Sequence, residues 1–175
     1  AAVIVPDGFL FGADNTKIAI KTKLLRDFNL HTIIRLPGSI FAPYTSIATN
    51  ILFFDNTSAE DAPEGFSTKE TWFYRLDMPE GYKHFSKTKS MKLEHCDPIR
   101  EWWNDRKEII IADGDEKSRC YPVKELIDSD CNFDLCKFPK EDVEILPPAE
   151  LLADYFKKRK ALDHEIDKTL AEIQR

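Results

Sequence analysis

The chain of 175 residues is short of what several common sites are made from. Its 6 glycines never fall into a G-x-G-x-x-G or P-loop spacing, so the usual phosphate and dinucleotide fingerprints are missing. The 4 cysteines, at positions 96, 120, 131 and 136, form no C-x₂-C pair, and no histidine stands near Cys131 and Cys136 to complete a ligand set. They read as reduced thiols with no metal, the usage of a cytoplasmic protein. No stretch approaches the ~20 apolar residues that span a bilayer. The opening AAVIVPDGFLFG is too short and has no basic flank for an export signal. A cytoplasmic protein with no membrane partner is expected.

Basic charge is also scarce. There are 25 Lys and Arg against 31 Asp and Glu, a net charge of −6. Residues 1–57 hold five basic and four acidic residues, 58–109 nine and eleven, and 110–175 eleven and sixteen. No strongly basic face follows, which argues against nucleic-acid binding by this chain acting alone. His31, His84, His95 and His164 stand in unrelated contexts, and no Ser/His/Asp order is defensible. His31 reads as a strand-edge residue. Asp97, Asp113, Asp115 and Glu116 read as solvated loop acids, and Trp102-Trp103 as a core plug or packing ridge.

What is present is a core-forming chain: 42% of residues are hydrophobic and 32% charged, with no long disordered composition. AAVIVPDGFL is continuously apolar, as expected of a strand covered on both faces, and Pro6-Asp7-Gly8 is turn chemistry. Residues 14–28 read as a helix capped by Asp14 or Thr16, with Ile18, Leu25 and Phe28 at helical spacing. LHTIIRL (30–36) is a second strand, so the unit is strand, helix, strand, with a right-handed parallel crossover expected. ATNILFFD (48–55) follows a connection without helical pattern and should pair antiparallel with it. TWFYRLD (71–77) is a fourth strand, rich in aromatic and β-branched residues. Beyond it the chain is polar, with helices expected at 98–106, at 123–128 and from about 149 to 174. The last carries Leu152, Tyr155, Leu162, Ile166 and Ile173 in a heptad-like stripe broken by Arg159 and Thr169.

One connection stands apart. IFAPYTSIATN (40–50) offers an aromatic, a proline, hydroxyls and an amide between two strands. On the residues alone, Phe41 is ordinary core at a strand end, Asn50 fixes the hairpin backbone, and Asp7-Gly8 shapes a turn.

VIVPDGFLFG, the helix holding KTKLL, and LHTIIRLPGSIFAPYTSIATNILFF resemble the methyltransferase (M) subunit of type I restriction-modification systems, an adenine-N6 DNA methylase family. The matching positions are Pro6, Asp7, Gly8, Leu10, Phe11, Arg35, Leu36, Pro37, Phe41, Pro43, Tyr44, Thr45, Thr49, Asn50 and Phe53. TWFYRLDMPEGY, SKTKSM, the IREWW helix and an N-x-DL segment at Asn132, Asp134 and Leu135 also look like this family. The resemblance implies an α/β fold: the carboxy-terminal part of a Rossmann-like S-adenosylmethionine-dependent methyltransferase sheet, its last parallel strands plus an antiparallel hairpin, followed by a helical tail. The family's glycine-rich cofactor loop and N-P-P-F-type tetrad do not occur in this sequence. The chain would therefore start at the fifth strand, as a piece of a larger protein, with no catalytic residues, no bound cofactor and no activity of its own.

The resemblance implies three parts: catalytic domain over 1–78, a family-specific extension over 79–146, and a partner-docking helix over 147–175. It implies that Phe41 stacks on a flipped adenine, that Pro43, Tyr44 and Thr45 shape that wall, and that Asp7, Gly8 and Asn50 hold hairpin and turn. It implies that Tyr155, Leu162 and Ile166 dock the specificity subunit. DNA, a specificity subunit and a restriction subunit are the partners, and S-adenosylmethionine is the cofactor of the intact enzyme. The rival expectation is a non-catalytic α/β protein-interaction module.

Overall fold

The computed structural model describes residues 1–111, 114–137 and 147–173, with Ile173 described by its backbone alone. Asp113 and the end of the expected tail at 174 lie outside the described residues. The chain divides into two compact units, 1–139 and 140–175.

In the first unit, strand β1 (Ala2–Pro6) leads into a short helix α1 (Asp7–Leu10) and then α2 (Asn15–Asp27). Strands β2 (Asn29–Arg35), β3 (Thr49–Asp55) and β4 (Glu70–Arg75) follow. A 3₁₀ turn at Leu93–Cys96 runs into α3 (Asp97–Asn104). Strands β5 (Ile109–Ile111) and β6 (Asp115–Pro122) and helix α4 (Val123–Asp128) complete it. The expected Pro6-Asp7-Gly8 turn is instead an extended Pro6 followed by one helical turn from Asp7.

The strands form one mixed sheet in the order β1-β3-β2-β4-β6-β5. β3 is antiparallel to both β1 and β2, while β2 and β4 are parallel. The expected β2–β3 pairing is present. β1 and β2 do run parallel, but they are not neighbours, because β3 inserts between them. Since the side-chain period of a strand is two, that insertion still places Val5 and Ile33 on one face and Ile4 and Ile34 on the other.

β1 departs from expectation in a second way. It pairs with β3 only, and Val3 and Ile4 are 45% and 54% exposed. Its apolar run is thus an edge strand here, not a strand covered on both faces. His31 also departs: it stands at a bulge in the inner strand β2, its ring against Trp103 at 5.9 Å. Burial is the main cause that lowers its pKa, with the Arg106 guanidinium next.

Each face of the sheet carries its own core. Leu10, Leu25, Leu30, Ile33, Leu52, Phe73, Val123, Leu126 and Phe133 fill one side under α2 and α4. Ile34, Leu36, Tyr74, Leu76 and Trp102 fill the other under α3, so Trp102 is the core plug the sequence suggested. α2 is started by Asp14, whose carboxylate accepts from Lys17 N at 3.0 Å. Lys21 of α2 is buried and donates to the carbonyls of Leu10 and Gly12, each at 3.0 Å, so its ammonium satisfies the end of α1. Burial lowers its pKa. Gly12 has no room for a side chain, since a Cβ there would lie 2.8 Å from the Gly8 carbonyl oxygen and 2.2 Å from Lys17 Cδ.

The described residues of the second unit form helix α5 (Pro148–Ile173), 26 residues or about 39 Å long. Prolines at 147 and 148 suit a helix start. Leu151, Leu152, Tyr155, Phe156, Leu162, Ile166 and Leu170 are all more than half exposed. No described helix is long and apolar enough to cross a membrane.

Phe133 has no exposed surface and stands where α4, β2 and α1 meet, its N–H donating to Leu10 O at 3.1 Å. Phe133→Ala should cost ~3–5 kcal/mol by transfer and cavity terms. A urea midpoint unchanged from wild type would show that this residue does not anchor the segment after α4.

Candidate functional site

The strand ends determine where polar groups gather. β1, β2 and β4 run the same way, so Asp7, Arg35 and Arg75 emerge at one end of the sheet, and the connection from 36 to 48 leaves from it. In open α/β sheets that carboxyl end is where ligands bind.

Arg35 is 2% exposed. Its Nη2 donates to Asp7 Oδ1 at 3.3 Å and to Asp134 Oδ1, and its Nη1 donates to Lys137 O at 3.1 Å. Asn50, in register with Arg35 across the β2–β3 pair, is fully buried and donates from Nδ2 to the same Asp7 oxygen at 2.5 Å. Asp7 N donates to Ala48 O at 3.1 Å. Four segments thus meet at one guanidinium and one carboxylate. The N-x-DL segment has a physical reading here. Asn132 Oδ1 accepts from Asp134 N at 3.0 Å and turns the chain, Asp134 reaches Arg35, and Leu135 packs on the core. Asn50 Oδ1 and Thr49 Oγ1 are buried and accept no hydrogen bond among the described residues.

The connection itself is closed by Leu36 N donating to Thr49 O at 2.9 Å. Ser39 takes a left-handed conformation (φ 59°), and Ile40 packs on the second core. The chain then folds over Phe41, whose carbonyl accepts from Tyr44 N at 2.9 Å and Thr45 N at 3.3 Å. The Ala42–Pro43 peptide is cis. Thr45 is half-buried and its Oγ1 accepts from Ile47 N at 3.1 Å. Phe41 is 38% and Tyr44 93% exposed, and Pro43 is exposed. The loop is fixed at its base and aromatic at its tip.

Of the residues singled out from the sequence, Asp7 and Asn50 therefore meet in one network, Phe41, Pro43, Tyr44 and Thr45 share one loop, and Gly8 is half-buried in α1 with open space where a Cβ would stand. Tyr155, Leu162 and Ile166 are exposed on α5. Arg35 and Asp134 were named for the resemblance but not for the site, because nothing in the sequence pairs positions 99 residues apart. A second buried guanidinium was missed altogether. Arg75, in register with Arg35, donates to Asp115 at 3.0 and 2.6 Å and to Asp77 at 2.7 Å. The Asp115 carboxylate raises the Arg75 pKa. Asp115 and Glu116 are thus structural acids and not solvated ones: Glu116 pairs with Lys137 at 2.8 Å and Arg119 at 2.5 Å, the former chiefly lowering its pKa.

All four cysteines are free thiols, and burial pushes the Cys136 thiol up to about 12. No group of His, Cys, Asp and Glu among the described residues has the arrangement to hold a metal ion.

The family model for N-6 DNA methylase matches residues 1–144. The chain belongs to the N-6 DNA methylase family. The EcoEI type I restriction enzyme methylase subunit of Escherichia coli is 42% identical over 158 residues, covering 89% of this chain and 30% of that protein. The EcoKI methylase subunit of E. coli strain K12 is 33% identical over 136 residues, 66% of this chain and 24% of that one. Among solved structures, one from a study of complex assembly in the type I restriction-modification system matches 98% of this chain and 35% of its own, at TM-score 0.62 and 32% identity. A modification subunit ascribed to a type I restriction enzyme of Vibrio vulnificus YJ016 matches at TM-score 0.60 and 40% identity, over 72% of this chain and 23% of its own. The chain thus spans about a third or less of each of these four relatives.

Methyltransferase relatives imply S-adenosylmethionine, and the described residues do not make a cradle for it. The glycines are isolated, and the acid that follows β1, Asp7, is already turned onto Arg35 and Asn50.

Arg35→Ala would leave Asp7 and Asp134 facing each other without their cation, and should cost ~3–5 kcal/mol. Arg35→Lys keeps the charge without the planar fork and should cost less. Denaturant titration of the 175-residue chain checks both, and equal losses would show that charge compensation is not what holds the four segments.

Proposed function

We propose that this chain is the carboxy-terminal part of the catalytic region of a type I DNA adenine-N6 methyltransferase subunit, and that it forms one wall of a pocket for a flipped adenine. A base undergoing methylation must leave the duplex stack and be held outside it. The observation that carries the reading is the loop from 37 to 48. It stands at the carboxyl end of parallel strands, is pinned by the Arg35–Asp7–Asn50 network, and presents Phe41 and Tyr44 outward. In this reading Phe41 stacks on the adenine face and Pro43, Tyr44 and Thr45 shape the wall.

The fold supports a Rossmann-like origin. β1 and β2 are parallel with the antiparallel β3 between them, which is compatible with the last parallel strands and a hairpin of such a sheet. The open edge of β1, with Val3 and Ile4 exposed, is where the preceding strands pair. Those strands carry the cofactor and the catalytic tetrad. S-adenosylmethionine supplies the methyl group, and the residues described here hold and orient the base. Residues 1–78 belong to the catalytic domain, 79–146 to a family-specific extension, and 147–175 to a docking helix.

The docking role of α5 rests on its exposed stripe. A helix in a folded protein gains most of its stability from packing an apolar face. Tyr155, Leu162 and Ile166 present such a face, and Lys158–Asp154 at 2.6 Å marks a polar side. The occupant proposed is the helical spacer of the specificity subunit, meeting α5 as a coiled-coil or helix-in-groove partner, with the restriction subunit joining the assembled complex.

In the full-length methylase, Phe41→Ala should weaken transition-state binding by ~1–3 kcal/mol, the value of one stacked base. Phe41→Tyr and Phe41→Trp should keep most of the methyl-transfer rate. If Ala and Tyr variants transfer at the same rate with folding intact, Phe41 does not stack.

Leu162→Asp should leave the sheet folded by circular dichroism and abolish co-purification with the specificity subunit. Recovery of both subunits at wild-type yield would remove α5 from the interface.

A further inference from the structure

Against the chain's net charge of −6, residues 79–92 (PEGYKHFSKTKSMK) hold four lysines and one glutamate. This loop is built, and it is attached to the aromatic loop. Phe85 is 2% exposed, its ring centroid 5.5 Å from Tyr82 and 5.9 Å from His95. Its backbone N–H donates to Ser39 Oγ at 2.8 Å, two residues before Phe41. Ser86 and Lys89 exchange backbone hydrogen bonds of 3.0 and 3.2 Å, closing a tight turn with Lys87 and Thr88 at its tip.

The four lysines divide into two kinds. Lys89 donates to Gly81 O at 2.8 Å and lies 3.9 Å from the Tyr82 ring centroid, and Lys92 pairs with Glu94 at 3.2 Å. These two serve the loop. Lys83 and Lys87 are exposed, as is His84, and make no ion pair among the described residues. Lysines that only solvate a surface need no buried anchor and no fixed attachment to a neighbouring loop. Here Phe85 supplies the anchor and Ser39 the attachment, so two cations without an ion pair among the described residues are carried on a loop joined to the chain two residues before Phe41.

We propose that this loop contacts the phosphate backbone of DNA next to the flipped adenine, with Lys83 and Lys87 as the contacting cations. The proposal rests on the adenine-pocket reading. A base displaced toward Phe41 carries its sugar and flanking phosphates with it. Phosphate contacts fix register and position without reading sequence, which suits a methylase whose sequence choice lies in another subunit. Each neutralised phosphate releases counterions and steepens the fall of affinity with salt.

The test is fluorescence anisotropy of the full-length methylase, in its complex with the specificity subunit, on a duplex carrying the target site, across about 50–200 mM salt. Lys83→Gln with Lys87→Gln should weaken binding and flatten the slope of log K against log salt by about 2, about one per lysine. Lys83→Arg with Lys87→Arg should keep the wild-type slope. Lys69→Gln, an exposed lysine on another part of the unit, should leave it unchanged. An unchanged slope in the double Gln variant overturns the proposal, and so does an equal loss per charge at Lys69. Phe41→Ala separates the two readings. A silent Phe41→Ala in single-turnover methyl transfer, with a flattened slope in the Gln pair, sinks the pocket and keeps the loop. The reverse pattern sinks the loop and keeps the pocket.

Discussion

Arg35 is the constraint on which the carboxyl end of this sheet depends. A guanidinium at 2% exposure is tolerable only if its donors are met. Asp7 after β1, Asp134 after α4 and the Lys137 carbonyl meet its two Nη groups, and Asn50 completes the arrangement through Asp7. Breaking a buried pair is more costly than never having made it, so these segments are fixed relative to one another. Arg75, one strand over, repeats the device with Asp115 and Asp77. Two buried arginines in register, each paired with an acid from a distant segment, lock this end of the sheet.

In the proposed pocket, that rigidity is what fixes the aromatic loop. Leu36 and Thr49 close its base, Asp7 holds Ala48, and Ile40 is packed, while Phe41 and Tyr44 keep open faces. A stacking surface is effective when its position is settled before the ligand arrives. The loop at 79–92, joined through Ser39, extends the same surface from an aromatic to a cationic one. Net charge argued against nucleic-acid binding by this chain acting alone, but it averages over a chain in which residues 79–92 carry four lysines against one glutamate.

Much of the fold was legible where local pattern dominates. β2, β3, β4, α2 and α4 lie within two residues of their expected bounds, and α5 starts within one, because apolar period, caps and prolines decide them locally. What escaped was non-local. Nothing in AAVIVP tells an edge strand from an inner one, and nothing in ATNILFFD shows that it inserts between β1 and β2. β6 hides in a polar stretch, since DEKSRCYP carries its burial through Asp115 and Ser118 and not through apolar alternation, and β5 is a run of only three residues, Ile109–Ile111. At the site, the resemblance named Asp7, Arg35, Asn50 and Asp134 as separate matches. That they form one network needs the fold, since Arg35 and Asp134 are brought together only by tertiary packing.

The most direct measurement of the central claim is a photo-crosslink. A duplex with 5-iodouracil in place of the target adenine is bound to the assembled full-length methylase, irradiated, digested and read by mass spectrometry. If the loop from 37 to 48 walls the base pocket, the linked peptide contains Phe41 or Tyr44. A crosslink confined to residues outside that loop, at comparable yield, would contradict the account.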